Sequence, residues 1–258
     1  MVVQDLELEV LDLALGKVTA AAFDAAGKLW LGLARAAVVV VEDVGNPGHA
    51  PVLLAGRGER PIGWLLPHPK QPGVLAVTNV DGALWLSSVG ASAGPLLLDH
   101  GVVSARWVAQ SPVLVAGTES GETLVFVDGA LEHRLPGMAA PVSQVAITLD
   151  GTRAASAGED GEVRLFELGR APKPLATGKG PMGAVGLAAA HDGVPWVLGR
   201  DGALTAGSDA AQALGQPAGV THPGPGGWCA VGLQDGRVAV LGAAPALDRA
   251  DVRPLRVL

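Results

Sequence analysis

Tyrosine is absent from the 258 residues, cysteine occurs once, and asparagine occurs twice. The single thiol, Cys229, cannot form an internal disulfide, so no disulfide framework holds this chain. Within GWCAVGL it reads as a buried structural thiol rather than a reactive one. Charge is also scarce: Asp, Glu, Lys and Arg together make up 17% of the residues, against about a quarter in a typical domain. Acids outnumber Lys and Arg by 25 to 18, and the net charge is −7. That balance argues against nucleic acid and against an anionic membrane surface, both of which call for clustered cations. Long apolar runs are missing too. The densest, residues 36–41, is far short of the roughly 20 residues that span a bilayer. The amino terminus, MVVQDLELEV, has acids where a secretory signal would have a basic stretch. No long stretch has helical periodicity. The expectation is a soluble, cytoplasmic, all-β protein, with no membrane and no nucleic acid among its partners.

Glycine, by contrast, is abundant at 37 residues, with 19 prolines. The clearest pattern lies in residues 141–169, PVSQVAITLDGTRAASAGEDGEVRLFELG. Three strand-like runs, 142–149, 152–158 and 162–168, are separated by Asp150-Gly151 and Asp160-Gly161. Asp-Gly between such runs is a strong hairpin signal and predicts a type I′ turn, with both central residues at positive φ. The second of these turns recurs along the chain, at Asp81-Gly82, Ser120-Gly121, Asp160-Gly161, Asp201-Gly202 and Asp235-Gly236. Ala36 holds the glycine's place in a less typical first copy. Successive copies are 46, 39, 40, 41 and 34 residues apart. A period near 40 with several strands per unit is the sign of a β-propeller, one blade per repeat. The expected fold class is therefore all-β, a single β-propeller of six four-stranded blades, with seven as the alternative.

In chain order the first blade takes residues 18–24, 29–34, 37–42 and 51–55. The second takes 62–66, 74–78, 83–87 and 95–98, and the third 103–109, 113–117, 123–127 and 131–135. The fourth adds 174–177 to its three runs. The fifth, poor in β-branched residues, takes 184–190, 195–199, 203–207 and 212–214. The sixth takes 219–222, 228–233 and 237–241. Residues 6–13 alternate apolar and acidic, which suits a half-solvated outer strand. They are assigned as the outer strand of the last blade, closing the ring from the amino terminus. The expected domains are thus 1–245, the propeller, and 246–258, an edge strand or docking tail carrying Arg249, Arg253, Leu255 and Arg256.

AITLDGTRAASAGEDGEVRLFEL in the fourth repeat resembles a WD-repeat unit from its first turn to the end of its third strand. In the other repeats the resemblance is one of period only. The places of that family's Trp-Asp pair hold Val41-Glu42, Ser87-Ser88, Phe126-Val127, Phe166-Glu167, Gly207-Ser208 and Leu241-Gly242, and no Gly-His pair precedes any first strand. The family's buried network joins the turn Asp to a His, a Ser or Thr and the Trp. Here the turn Asp stands in four repeats without those partners. The chain is similar to a divergent WD-like propeller.

No catalytic, cofactor or metal residue is assigned. A lactonase-like propeller hydrolase, the alternative function, holds a metal in its channel with convergent oxygen ligands. The inner strands TAAAF, GWLLP, SARWV, SQVAI, VGLAA and GVTH are almost free of acids, and the two asparagines, Asn46 and Asn79, lie in a loop and beside a turn. His68, His191 and His222 fall near turns that a ring spreads apart. Gly178, Gly180 and Gly183 match GxGxxG but precede a strand where a dinucleotide site needs a helix. Trp64 and Trp107 lie near inner strands and would border the channel mouth. The remaining reading is a non-catalytic protein–protein interaction scaffold, or a subunit of a larger intracellular assembly. The resemblance implies that partners bind the face formed by the second-to-third-strand turns and the fourth-to-first connections. On this chain that face carries Arg35, Arg60, Asp81, His100, Glu119, Asp160, Lys179, Arg200 and Asp235.

Overall fold

The computed structural model describes residues 16–43, 51–54, 59–88, 96–108, 111–148, 150–189, 195–201, 203–206, 212–213, 217–224, 228–233, 237–241 and 253–254. Apolar and β-branched runs punctuated by glycine turns fold, repeat by repeat, into four-stranded antiparallel sheets. The first contains β1 (Val18–Phe23), β2 (Leu29–Leu33), β3 (Val38–Val41) and β4 (Val52–Leu54). The second contains β5 (Ile62–Pro67), β6 (Val74–Asn79), β7 (Leu84–Ser88) and β8 (Leu96–Asp99). The third has β9 (Val102–Trp107), β10 (Val113–Thr118), β11 (Thr123–Val127) and β12 (Ala130–Leu135). The fourth has β13 (Val142–Ile147), β14 (Arg153–Gly158), β15 (Glu162–Glu167) and β16 (Lys173–Lys179). The fifth has β17 (Ala184–Ala189), β18 (Pro195–Gly199), β19 (Ala203–Ala206) and β20 (Gln212–Ala213). The sixth has β21 (Pro217–Gly224), β22 (Trp228–Leu233), β23 (Arg237–Leu241) and β24 (Arg253–Pro254). Each sheet runs in sequence order from its first strand to its fourth, a simple meander.

The fourth strand of the last sheet is supplied by the carboxy-terminal segment, where the sequence had placed residues 6–13. Those amino-terminal residues lie outside the described ones.

The turns differ from the expected type. In the second-to-third-strand turns of sheets two to four φ is positive at the glycine, Gly82 (80°), Gly121 (85°) and Gly161 (80°), and not at the residue before it; in the first sheet Ala36 takes the same place at 58°. Each of these amides donates back three residues, Gly82 to Asn79, Gly121 to Thr118 and Gly161 to Gly158. That is a type I turn followed by a left-handed glycine, the three-residue hairpin loop. The aspartate is thus free to adopt ordinary negative φ, and only the glycine position is demanding.

A second regularity has no sequence signature. In each of the first five sheets the register of the first strand slips near its start, leaving Thr19, Gly63, Val103, Ser143 and Val185 as bulge residues. A bulge leaves a carbonyl of the second strand short of its ladder partner. In two sheets a hydroxyl answers it: Thr19 donates to the carbonyl of Gly32 at 3.1 Å and Ser143 to that of Ala157 at 3.0 Å.

The core lies between sheets rather than within one. Trp30, Val38 and Val40 of the first sheet pack with Ile62, Leu75 and Trp85 of the second. Ala76 and Leu84 of the second meet Leu114, Leu124 and Phe126 of the third. Val115 and Val125 of the third meet Ala154 and Phe166 of the fourth. Ala155, Ala157 and Val163 of the fourth meet Leu187 and Val197 of the fifth. A strand between two such interfaces is apolar on both faces, which is why Val38–Val41 is buried at every residue. Its odd members, Val39 and Val41, join Leu31 and Leu33 in a separate cluster on the other face. Full burial of each large side chain is worth roughly 1.5–3 kcal/mol, so these interfaces dominate the stabilising side.

Candidate interaction face

One end of the sheets is built as a continuous surface. The first amide of each described second-to-third-strand turn in the first four sheets donates to the residue just before the first strand of its own sheet. These bonds run from Ala34 to Lys17, Val80 to Pro61, Glu119 to Gly101 and Glu159 to Pro141, at 2.8–3.0 Å. In sheets two to four the turn glycine's carbonyl then accepts from the connection that leads to the next sheet. Val102 donates to Gly82, Met138 to Gly121 and Gly180 to Gly161, at 2.7–2.9 Å. Turn and connection therefore approach backbone to backbone. A β-carbon at Gly121 would collide with the carbonyl oxygens of Met138 and Ala140.

This stitching places the side chains expected from the sequence. Asp81, His100 and Glu119 are neighbours around the junction of the second and third sheets, and all three are exposed. Arg60 precedes Pro61 beside Val80, and Arg35 follows the stitched Ala34; both are exposed. Lys179 and Arg200 are exposed at the ends of β16 and β18. Asp160 differs from the others. It is half-buried and its carboxylate accepts the Glu162 amide at 3.0 Å, as Asp201 does from Ala203. The turn aspartate thus closes its own loop. In the third sheet Thr118 does this job, its hydroxyl accepting the Glu122 amide at 3.0 Å. Asp235, Arg249, Leu255 and Arg256 lie outside the described residues, and Arg253 lies in β24.

The opposite end uses side chains to close the first-to-second-strand turns. The Asp24 carboxylate accepts from the amides of Ala26 and Lys28 and from the Trp30 indole, at 2.9–3.1 Å. Burial opposes its ionisation. The Trp30 bond and backbone donors from Lys28, Ala26 and Gly73 outweigh that and hold the carboxyl below the ordinary aspartate range. In the second sheet His68 takes the same place. Its Nδ1 accepts from the amides of Lys70 and Gln71, both at 3.0 Å, so the ring is neutral with its proton on Nε2. Burial holds the His68 pKa below the usual histidine value, while the Asp128 carboxylate pulls the other way. Trp107 of the next sheet leans on this imidazole, ring centroids 4.5 Å apart, and its indole donates to the Leu66 carbonyl at 2.9 Å. Trp107 is therefore a lock between sheets, and Trp64 packs against the same interface as a partly buried neighbour.

His222 lies in β21 and His191 outside the described residues. Among the described residues no three His, Cys, Asp or Glu side chains gather in a metal-binding group. No helix follows Gly178, Gly180 and Gly183; β17 does. Arg106, in β9, is the one charged residue on the described first strands, and sequence reasoning passed over it. Its guanidinium donates to the Ala105 carbonyl at 2.8 Å, and the residue is exposed to solvent.

No family model matches the chain, and no curated protein matches it in sequence. Among solved structures, the β-propeller domain of Myceliophteria thermophila Cps50 (Swd1) is similar over 88% of this chain and 82% of that one, with a TM-score of 0.64 at 14% identity. The chain is a β-propeller. At that identity the likeness is one of fold, and it fits the divergent WD-like propeller expected from the fourth repeat. In propeller terms the stitched surface is one end of the disc, and the turns closed by Asp24 and His68 are at the other.

Proposed function

We propose that this propeller is a non-catalytic protein–protein interaction scaffold, or a subunit of a larger assembly, working in the cytoplasm. Its partners bind the face of second-to-third-strand turns and fourth-to-first connections. One observation carries the reading. On a surface whose backbone is stitched at every described turn of the first four sheets, the side chains of Arg35, Arg60, Asp81, His100, Glu119, Lys179 and Arg200 are exposed, and none has a partner among the described residues. Rigid backbone with uncommitted, mixed charge suits a polar-rimmed protein contact: the scaffold is ordered before binding, and the charges select the partner.

The five lysines of the chain make the reading testable. Lys17 and Lys179 flank the stitched face, whereas Lys28, Lys70 and Lys173 lie toward the other end. Amine-reactive crosslinking of the native complexes, read by mass spectrometry, should join partners through Lys17 and Lys179. Crosslinks confined to Lys28, Lys70 and Lys173 would place the binding face on the wrong end of the disc.

A further inference from the structure

We propose that a wedge between the third and fourth sheets is a binding site for a free α-amino acid with a large apolar side chain. It lies away from the stitched face, shares none of that face's residues, and goes beyond the interaction reading. Gly129 and Gly169 hold the same place, in the third-to-fourth-strand turns of their sheets. A β-carbon at Gly129 would meet Leu86, Leu96 and Leu98 of the second sheet. One at Gly169 would meet nothing within 4 Å. The strand registers explain the difference: they set Val125 and His133 of the third sheet where the second has Leu86 and Leu96. A smaller side chain and a polar one thus leave a cavity of about 370 Å³. Small-molecule pockets begin at about 300 Å³.

The floor is apolar, lined by Val113, Val125, Val127 and Leu168. The walls are set before any ligand arrives, because neighbouring turns of each sheet are tied together. Asp128 donates to the Pro112 carbonyl at 3.2 Å, and Leu168 to that of Thr152 at 2.7 Å. The lips carry opposite charges: Glu132 and His133 stand on the third sheet, and Arg170 on the fourth. Adjacent strand residues ordinarily point to opposite faces. Glu132, however, is the extra residue of a bulge in β12, so it and His133 both line the wedge. Glu132 and Arg170 share one cavity without pairing, and neither side chain has another partner among the described residues. An apolar acid would leave Glu132 facing its carboxylate, and an apolar amine would leave Arg170 facing its ammonium. A zwitterion answers both, with its ammonium on Glu132, its carboxylate on Arg170 and its side chain on the valines. His133 adds a hydrogen-bonding ring at the Glu132 lip.

The test is isothermal titration calorimetry of the full chain with L-phenylalanine and L-leucine. Saturable binding is expected, weakened at least about tenfold for L-phenylalaninamide and for N-acetyl-L-phenylalanine, each of which lacks one of the two charges. E132Q and R170Q, both at exposed residues, should each weaken binding at least about fivefold. V127F, which fills the floor, should abolish it, with thermal melts checking that the variants fold. No saturation up to about 10 mM of either amino acid, or undiminished binding by both E132Q and R170Q, would overturn the proposal. So would a preference for N-acetyl-L-phenylalaninamide, which mimics a side chain within a polypeptide, because the wedge would then take a partner protein.

Discussion

Ala36 and Gly121 occupy the same place in their repeats, and both sit in the left-handed region, at φ 58° and 85°. An L side chain there costs about 1–2 kcal/mol, which glycine avoids at some entropic cost. Ala36→Gly should therefore raise stability by about 0.5–1 kcal/mol, read from the urea midpoint. Gly121→Ala should lower it by more than about 2 kcal/mol, because the new methyl also meets the carbonyls of Met138 and Ala140. Equal and opposite shifts would mean that only φ matters and that the stitched approach of turn and connection does not. The glycine spacing made these positions legible in the sequence. The aspartate beside them misled: read as half of a type I′ pair, it proves a loop-closing acceptor at Asp160 and Asp201.

At the scale of the element, strand positions were largely legible, because turn residues and apolar runs delimit them; β11, β18, β22 and β23 begin and end where the pattern did. The first-strand bulge was not. Thr, Gly, Val, Ser and Val hold that place, so no residue type marks it, and only the pairing register reveals it. The first-to-second-strand turns were hidden for a similar reason, since Asp24, His68 and Thr148 perform one task with three chemistries. That difference is measurable. The folded-state pKa of His68 lies below its ordinary value of 6.5, so the unfolded chain takes up the proton first as pH falls. The stability contributed by the neutral ring is complete above about pH 6.5 and declines as the pH drops from there through the folded value. Urea midpoints between about pH 8 and 5.5 should fall, and His68→Asn, which keeps an acceptor in the turn, should flatten that slope. The depressed carboxyl of Asp24 contributes above its ordinary 3.8 and is lost only as pH falls below it, outside this window. An unchanged slope in His68→Asn would remove His68 as its source.

For the whole molecule, the sequence showed a repeat whose sheets bury both faces, and the inter-sheet clusters around Trp30, Phe126, Phe166 and Val197 are that arrangement. The candidate face was legible as turns and connections, but not in which side chains remain free. Asp160 is half-spent on its loop, whereas Arg35, Glu119 and Arg200 have no partner among the described residues. Reversing those three charges should leave the fold intact, exposed charges being worth little to stability. The most direct measurement is affinity purification from the native host with quantitative mass spectrometry, comparing the unaltered chain with R35E, E119R and R200E combined. A defined set of partners, depleted at least about tenfold by the triple reversal at an unchanged melting temperature, is the predicted result. Full retention of every partner by a folded triple variant would contradict the assignment of this face.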